Sequence, residues 1–219
     1  MMPKRFKLLV FDWDGTLMDS AAAIVASIQE SCRDLGLPVP ERERAAHVIG
    51  LGLKDALAYA VPELPPSDYG RLAERYRHHY LARDPDLELF PGMREMLAIL
   101  KQKGHMLAVA TGKTRVGLER VLEATQLKQY FDSSRCADQT HSKPHPAMLH
   151  ELMQELLIGP EATLMIGDTA HDLQMAANAG VPALAVSYGA HPRDGLTTFH
   201  PLACIDTPRE LAPWLAKNA

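Results

Sequence analysis

Cysteine is scarce in this chain. Cys32, Cys136 and Cys204 are the only three in 219 residues, an odd number with no paired spacing. That excludes a cysteine-based zinc signature and a disulfide framework, and it fits a reducing cytosol. Basic charge is not in surplus either: 23 Lys and Arg against 27 Asp and Glu leave a formal net charge of -4 and a pI near 6.2. Such a balance argues against gripping a nucleic-acid backbone or docking on an anionic membrane. No apolar run is long enough to span a bilayer. Lys4, Arg5 and Lys7 lead straight into a short apolar run, so the N-terminus lacks the apolar core of a signal peptide. A cytoplasmic location is expected. Internal repeats and low-complexity tracts are missing as well. What the chain does have is apolar residues, 47% of the total, enough for one ordinary domain plus a smaller insert.

Five short apolar runs read as buried strands: Leu8 to Phe11, Met106 to Ala110, a weak one over Asp132 to Ala137, Leu164 to Ile166, and Ala183 to Val186. A sixth candidate is Ala203 to Ile205. Helical periodicity fills most of the gaps, over Met93 to Gln102, Arg115 to Thr125, Pro146 to Leu157, and His171 to Ala179 before Gly180. Alternation of this kind predicts an α/β fold, a doubly wound parallel sheet covered on both faces. The stretch from Asp19 to Arg83 differs, because it holds no convincing strand. Its periodicity predicts helices over Asp19 to Leu35, Arg42 to Val48, Leu53 to Tyr59 and Ser67 to Leu81, punctuated by Pro and Gly. The expected organisation is therefore an α/β core of residues 1–17 and 86–219, with an inserted all-helical cap domain at 18–85.

Ligands of open α/β sheets bind beyond the carboxyl ends of the strands. After the first strand comes Asp12-Trp13-Asp14-Gly15-Thr16; after the second, Thr111-Gly112-Lys113. After the fourth comes Gly167-Asp168-Thr169-Ala170-His171-Asp172, and Lys143 precedes the helix beginning at Pro146. Each has an ordinary reading alone: Thr111 as a helix cap, Lys143 as a solvated lysine, Asp168 as an N-cap, Asp172 as a first-turn charge. Together they suit phosphoryl transfer through an aspartyl-phosphate. A carboxylate can attack phosphorus, a hard cation can bridge the anions, and fixed donors can hold the equatorial oxygens.

In this order the motifs resemble those of the haloacid dehalogenase superfamily, in its phosphoglycolate-phosphatase-like group with a helical cap. The resemblance implies a Mg²⁺-dependent phosphatase of a small phosphorylated metabolite. It makes Asp12 the nucleophile and a metal ligand. Asp14 becomes the general acid/base, and its backbone carbonyl a metal ligand. Thr111 and Lys143 contact the phosphoryl, with backbone N–H groups of Trp13, Asp14, Gly15 and Gly112 completing the cradle. Asp168 is a metal ligand, and Asp172 holds it or a metal-bound water. Leu17 to Asp19 and Leu87 to Phe90 become hinges, and Asp19 a helix cap.

Alternatives remain open. A β-phosphoglucomutase-like phosphomutase also needs Asp14. Phosphonoacetaldehyde hydrolysis would use a cap lysine, which Lys54 could imitate, but that branch has alanine at the position of Asp14. A dehalogenase lacks the second aspartate. A receiver-like phosphoacceptor has no helical insert, and an idle binding protein leaves every motif residue unused. Lys54, at the end of Gly50-Leu51-Gly52-Leu53-Lys54, is a candidate cap contact to substrate; a plain helix-start turn is the ordinary reading. Trp13 is expected to point away from the aspartates into the core; His171, inside the acidic loop, could touch solvent near the metal, but that is not the reading preferred for it. The substrate itself is set by the cap.

Overall fold

The computed structural model describes residues 5–219; Lys4, and with it the start of the expected core segment, lies outside the described residues. Strand β1 (Leu8–Phe11) is buried on both faces. It leads into α1 (Ala21–Asp34), α2 (Arg42–His47), α3 (Leu53–Ala60) and α4 (Tyr69–Arg83). The chain then returns through α5 (Met93–Gln102) to β2 (Met106–Thr111), α6 (Arg115–Ala124), β3 (Ser133–Cys136) and α7 (Ala147–Leu156). It ends with β4 (Thr163–Gly167), α8 (Ala170–Asn178), β5 (Ala183–Val186), α9 (Arg193–Thr197), β6 (Cys204–Ile205) and α10 (Pro208–Asn218).

All six strands are parallel and ordered β3-β2-β1-β4-β5-β6. The order reverses between β1 and β4, and that switch point opens a crevice at their carboxyl ends. Asp12 and Asp168 stand immediately beyond those two ends. The doubly wound sheet expected from strand–helix alternation is therefore present, with the weak third run and the two-residue sixth both confirmed as strands. Side chains alternate across the sheet. Leu9 and Phe11 join one apolar cluster with α5, α6 and α10, while Leu8 and Val10 join another with α7 and α8.

The helical cap has its own core, in which Ile24, Val25 and Ile28 of α1 meet Leu57 of α3 and Leu72 of α4. Two chain crossings join it to the sheet, and they run side by side. The Asp19 N–H donates to the Glu88 carbonyl at 3.0 Å, and the Phe90 N–H to the Leu17 carbonyl at 2.9 Å. These are the two segments expected to be hinges. Ser20, not Asp19, stands at the N-cap of α1; Asp19 is exposed outside the helix.

Candidate active site

β1 ends by delivering Asp12 and Trp13 into the interior, and the Gly15 turn reverses the chain at once. Gly15 has φ +80°, and a methyl group there would collide with the Asp168 carboxylate, so both conformation and space demand glycine. Trp13 is buried in the sheet's apolar cluster, away from the aspartates, with its ring tilted against Phe131 at 6.4 Å. The Gly15 N–H donates to the Met18 carbonyl at 2.8 Å and is thereby committed to the turn; the N–H groups of Trp13 and Gly112 make no hydrogen bond among the described residues.

Three carboxylates converge behind that turn. Asp12, Asp168 and Asp172 are all fully buried, with ligand oxygens within 4.8 Å of one another. One ammonium serves them. Lys143 Nζ lies 2.6 Å from Asp12 Oδ1 and 2.6 Å from Asp172 Oδ1, itself buried. Three negative charges against one positive leave two negative charges in excess. Burial, opposed by Lys143 and reinforced by Asp172 and Asp168, raises the Asp12 carboxyl well above its ordinary range. Burial and the Asp172 charge push Asp168 up to about 7. Burial alone would lower the Lys143 ammonium, but Asp12 and Asp172 outweigh it and hold it above its usual value. The shared cause is a shortage of positive charge at the cluster.

Each acid has its own restraint. Asp168 accepts from the Thr16 hydroxyl at 2.8 Å and from the Ala190 N–H at 2.7 Å. Asp172 closes a capping box with Thr169, which is the N-cap of α8 in place of Asp168. Thr114, not Thr111, caps α6. Thr111 is left free of helix duty, buried at the end of β2, with its hydroxyl accepting from the Lys113 N–H at 3.1 Å. Asp12 Oδ2 is buried with no hydrogen-bond partner. A buried carboxylate oxygen in that state is costly unless a ligand completes it. Hard, anionic oxygen donors with surplus negative charge suit Mg²⁺, so the residues present fit such an ion.

Asp14 sits in a second, less buried group. Its Oδ1 accepts from the Ser20 hydroxyl at 2.6 Å and pairs with Lys113 Nζ at 3.0 Å. Lys113 Nζ also donates to the Tyr80 hydroxyl of α4 at 2.8 Å, so sheet and cap meet at Asp14. Sequence reading missed Ser20, Lys113, Tyr80 and Thr169 as site residues. Lys113 had one signal, its place directly after Thr111-Gly112; Tyr80 had none.

The cap rests on the site at several points. A methyl at Gly112 would collide with the Gly50 and Leu51 carbonyls, and the Gly52 N–H donates to the Ser142 hydroxyl at 2.8 Å. The glycine turn before α3 therefore docks on the sheet's loops. Lys54 is exposed, whereas Leu53 and Ala56 of the same helix line a cavity of about 450 Å³ that reaches Asp14. His171 does not point to solvent near the acids. Its Nε2 meets the His47 carbonyl of α2 at 2.7 Å, and His191 Nε2 meets the same carbonyl at 3.1 Å.

The model of the haloacid dehalogenase-like hydrolase family matches residues 9–186. Over 207 residues the chain is 39% identical to the probable phosphatase IndB of Dickeya dadantii, covering 91% of this chain and 89% of that one. It is 34% identical to a phosphoglycolate phosphatase of Agrobacterium fabrum, over 83% of this chain and 81% of its relative. Among solved structures, a predicted phosphatase from Clostridium acetobutylicum superposes with a TM-score of 0.84 at 25% identity, covering 97% of this chain and 99% of that one.

Proposed function

The chain belongs to the haloacid dehalogenase-like hydrolases, and within that family we propose that it is a Mg²⁺-dependent phosphomonoesterase working through a phosphorylated Asp12. The observation that carries this reading is the buried Asp12, held through one oxygen by Lys143 and left with the other unpartnered, beside Asp168 at the switch point of the sheet.

Asp12 and Asp168, with the Asp14 carbonyl, would hold the ion. When bound, it supplies positive charge that keeps Asp12 ionised and screens the approach of an anionic phosphate. Lys143 orients Asp12 and offsets charge between nucleophile and phosphoryl. Asp172 fixes Lys143 from behind and caps α8. The Thr111 hydroxyl and the N–H groups of Trp13 and Gly112 are donors for the equatorial oxygens.

Asp12 attacks phosphorus, forming an O–P bond while the bond to the leaving oxygen breaks. Asp14 gives its proton to that oxygen and the alcohol departs. Water then attacks the phosphorus of the acyl phosphate as Asp14 takes its proton. Inorganic phosphate leaves, and Asp12 returns as carboxylate. Ser20 and Lys113 hold Asp14 in place for both halves of the cycle. The Lys113–Tyr80 bond ties that geometry to a closed cap, which keeps bulk water out.

The test is phosphate release from a panel of phosphate esters with Mg²⁺. Asp12→Asn should abolish release while leaving the fold intact, since Lys143 keeps Asp172. Release at the wild-type rate by that variant, or in excess chelator, contradicts the reading.

A further inference from the structure

Asp14 protonates the departing oxygen, so the space Asp14 faces is the space the departing alcohol occupies. That space is the cavity of about 450 Å³ between cap and sheet, a size ordinary for a small-molecule site. Its walls are predominantly, though not wholly, hydrocarbon. Ile24 and Ile28 come from α1, Leu53 and Ala56 from α3, and Tyr76 from α4. The apolar surface continues outward at the mouth, where Val116 of α6 is 75% exposed and Leu81 of α4 is 46% exposed. Large exposed hydrophobic side chains at the rim of an apolar cavity mark a surface that a ligand covers.

Most of the charged groups that reach the cavity are already engaged, and the Tyr76 hydroxyl is the neutral polar group left without a hydrogen bond among the described residues. Lys113 is taken by Asp14 and Tyr80, Arg120 pairs with Asp84 at 2.7 Å, and Asp138 accepts the Arg115 N–H at 2.9 Å. Arg77 has no ion-pair partner among the described residues, but it is exposed and stands at the mouth. A two-carbon acid or a second phosphate in the departing position would thus set its charge against aliphatic walls, a costly burial. It would also leave most of the volume unfilled.

We infer that the leaving group is a sizeable apolar alcohol, so that the substrates are phosphomonoesters with a long-chain or ring-bearing hydrophobic moiety rather than phosphoglycolate or pyrophosphate. This rests on the phosphomonoesterase reading above. Burying hydrocarbon gives a graded signal. Across straight-chain primary alkyl phosphates, whose leaving groups differ little in intrinsic reactivity, kcat/KM should rise about threefold to fourfold per methylene until the cavity is full. Ala56→Phe, which shortens the cavity, should lower the hexyl-to-ethyl phosphate ratio at least about tenfold.

A second measurement is independent of turnover. Calorimetry of hexyl, butyl and ethyl phosphate with the Asp12→Asn protein should show a negative heat-capacity change that grows with chain length. A flat alkyl series, or phosphoglycolate or pyrophosphate hydrolysed more efficiently than hexyl phosphate, overturns the pocket assignment while leaving the phosphatase standing. Absence of hydrolysis of every ester overturns the phosphatase reading. The calorimetric trend then decides the pocket alone, and its absence there overturns that assignment too.

Discussion

Lys143 makes the buried carboxylates tolerable, and its loss shows how narrowly. With Asp12 and Asp172 each 2.6 Å from its ammonium, a neutral methionine there would leave both charges facing each other in the interior. Lys143→Met should destabilise the fold by about 3–5 kcal/mol, the usual cost of breaking a buried pair. Added Mg²⁺ should recover part of that loss in a urea titration; no loss of stability would contradict the charge balance drawn here. Asp14→Asn removes the proton carrier and the charge that pairs with Lys113 but keeps an acceptor for Ser20, so turnover should fall by about 10² to 10⁴-fold in a protein that still folds, with a lower unfolding midpoint from the lost pair. Asp12, Thr111 and Asp168 stood out in the sequence because a polar group at the end of an apolar run interrupts its pattern, and Lys143 and Asp172 because they complete the family motifs; the structure brings Asp12, Lys143, Asp168 and Asp172 together. Ser20, Lys113 and Tyr80 did not stand out, because their meeting depends on how α4 packs over the sheet. The capping of α8 by Thr169 and of α6 by Thr114, one or more residues later than Asp168 and Thr111, releases those two for the site.

Elements of the cap are tied to the sheet by few but directed contacts. The carbonyl of His47, the last residue of α2, receives both His171 and His191, and His191 Nδ1 accepts the Ala170 N–H at 3.0 Å. His191→Ala deletes two of these bonds at a buried position. It should cost about 1–3 kcal/mol, read as a lower thermal midpoint, and raise KM more than it lowers kcat, because the closed cap is weakened while Asp12 and Asp14 stay in place. An unchanged KM would separate this contact from closure. Helical periodicity announced α1, α3 and α4 within two or three residues. It did not announce α9, which has only five residues, or α10, where Pro213 interrupts the apolar pattern. A capping box of Thr207 and Glu210 with Pro208 between them was a legible start signal for α10. The latch histidines were visible as residues but not as neighbours, since chain separations of 124 and 144 residues carry no local pattern.

Seen as one body, the protein places three carboxyl groups and one ammonium at the crevice where its sheet reverses direction. Folding holds the Asp12 and Asp168 carboxyls above the usual acid range, so the folded state binds more protons than the unfolded chain over the interval. The metal-free fold therefore loses stability from these groups as pH rises through their folded values, up to about 7 for Asp168. Mg²⁺ competes with those protons, so its stabilisation should be larger at about pH 8 than at about pH 5 in thermal unfolding. An equal shift at both would detach the ion from these acids. The most direct measurement is on Asp12 itself: mix enzyme, Mg²⁺ and a phosphate ester, quench in acid during turnover, reduce with borohydride and sequence the peptide by mass spectrometry. Homoserine at position 12, absent without ester, is the expected result. Full turnover with unmodified aspartate at position 12 and homoserine at another aspartate's position would contradict it.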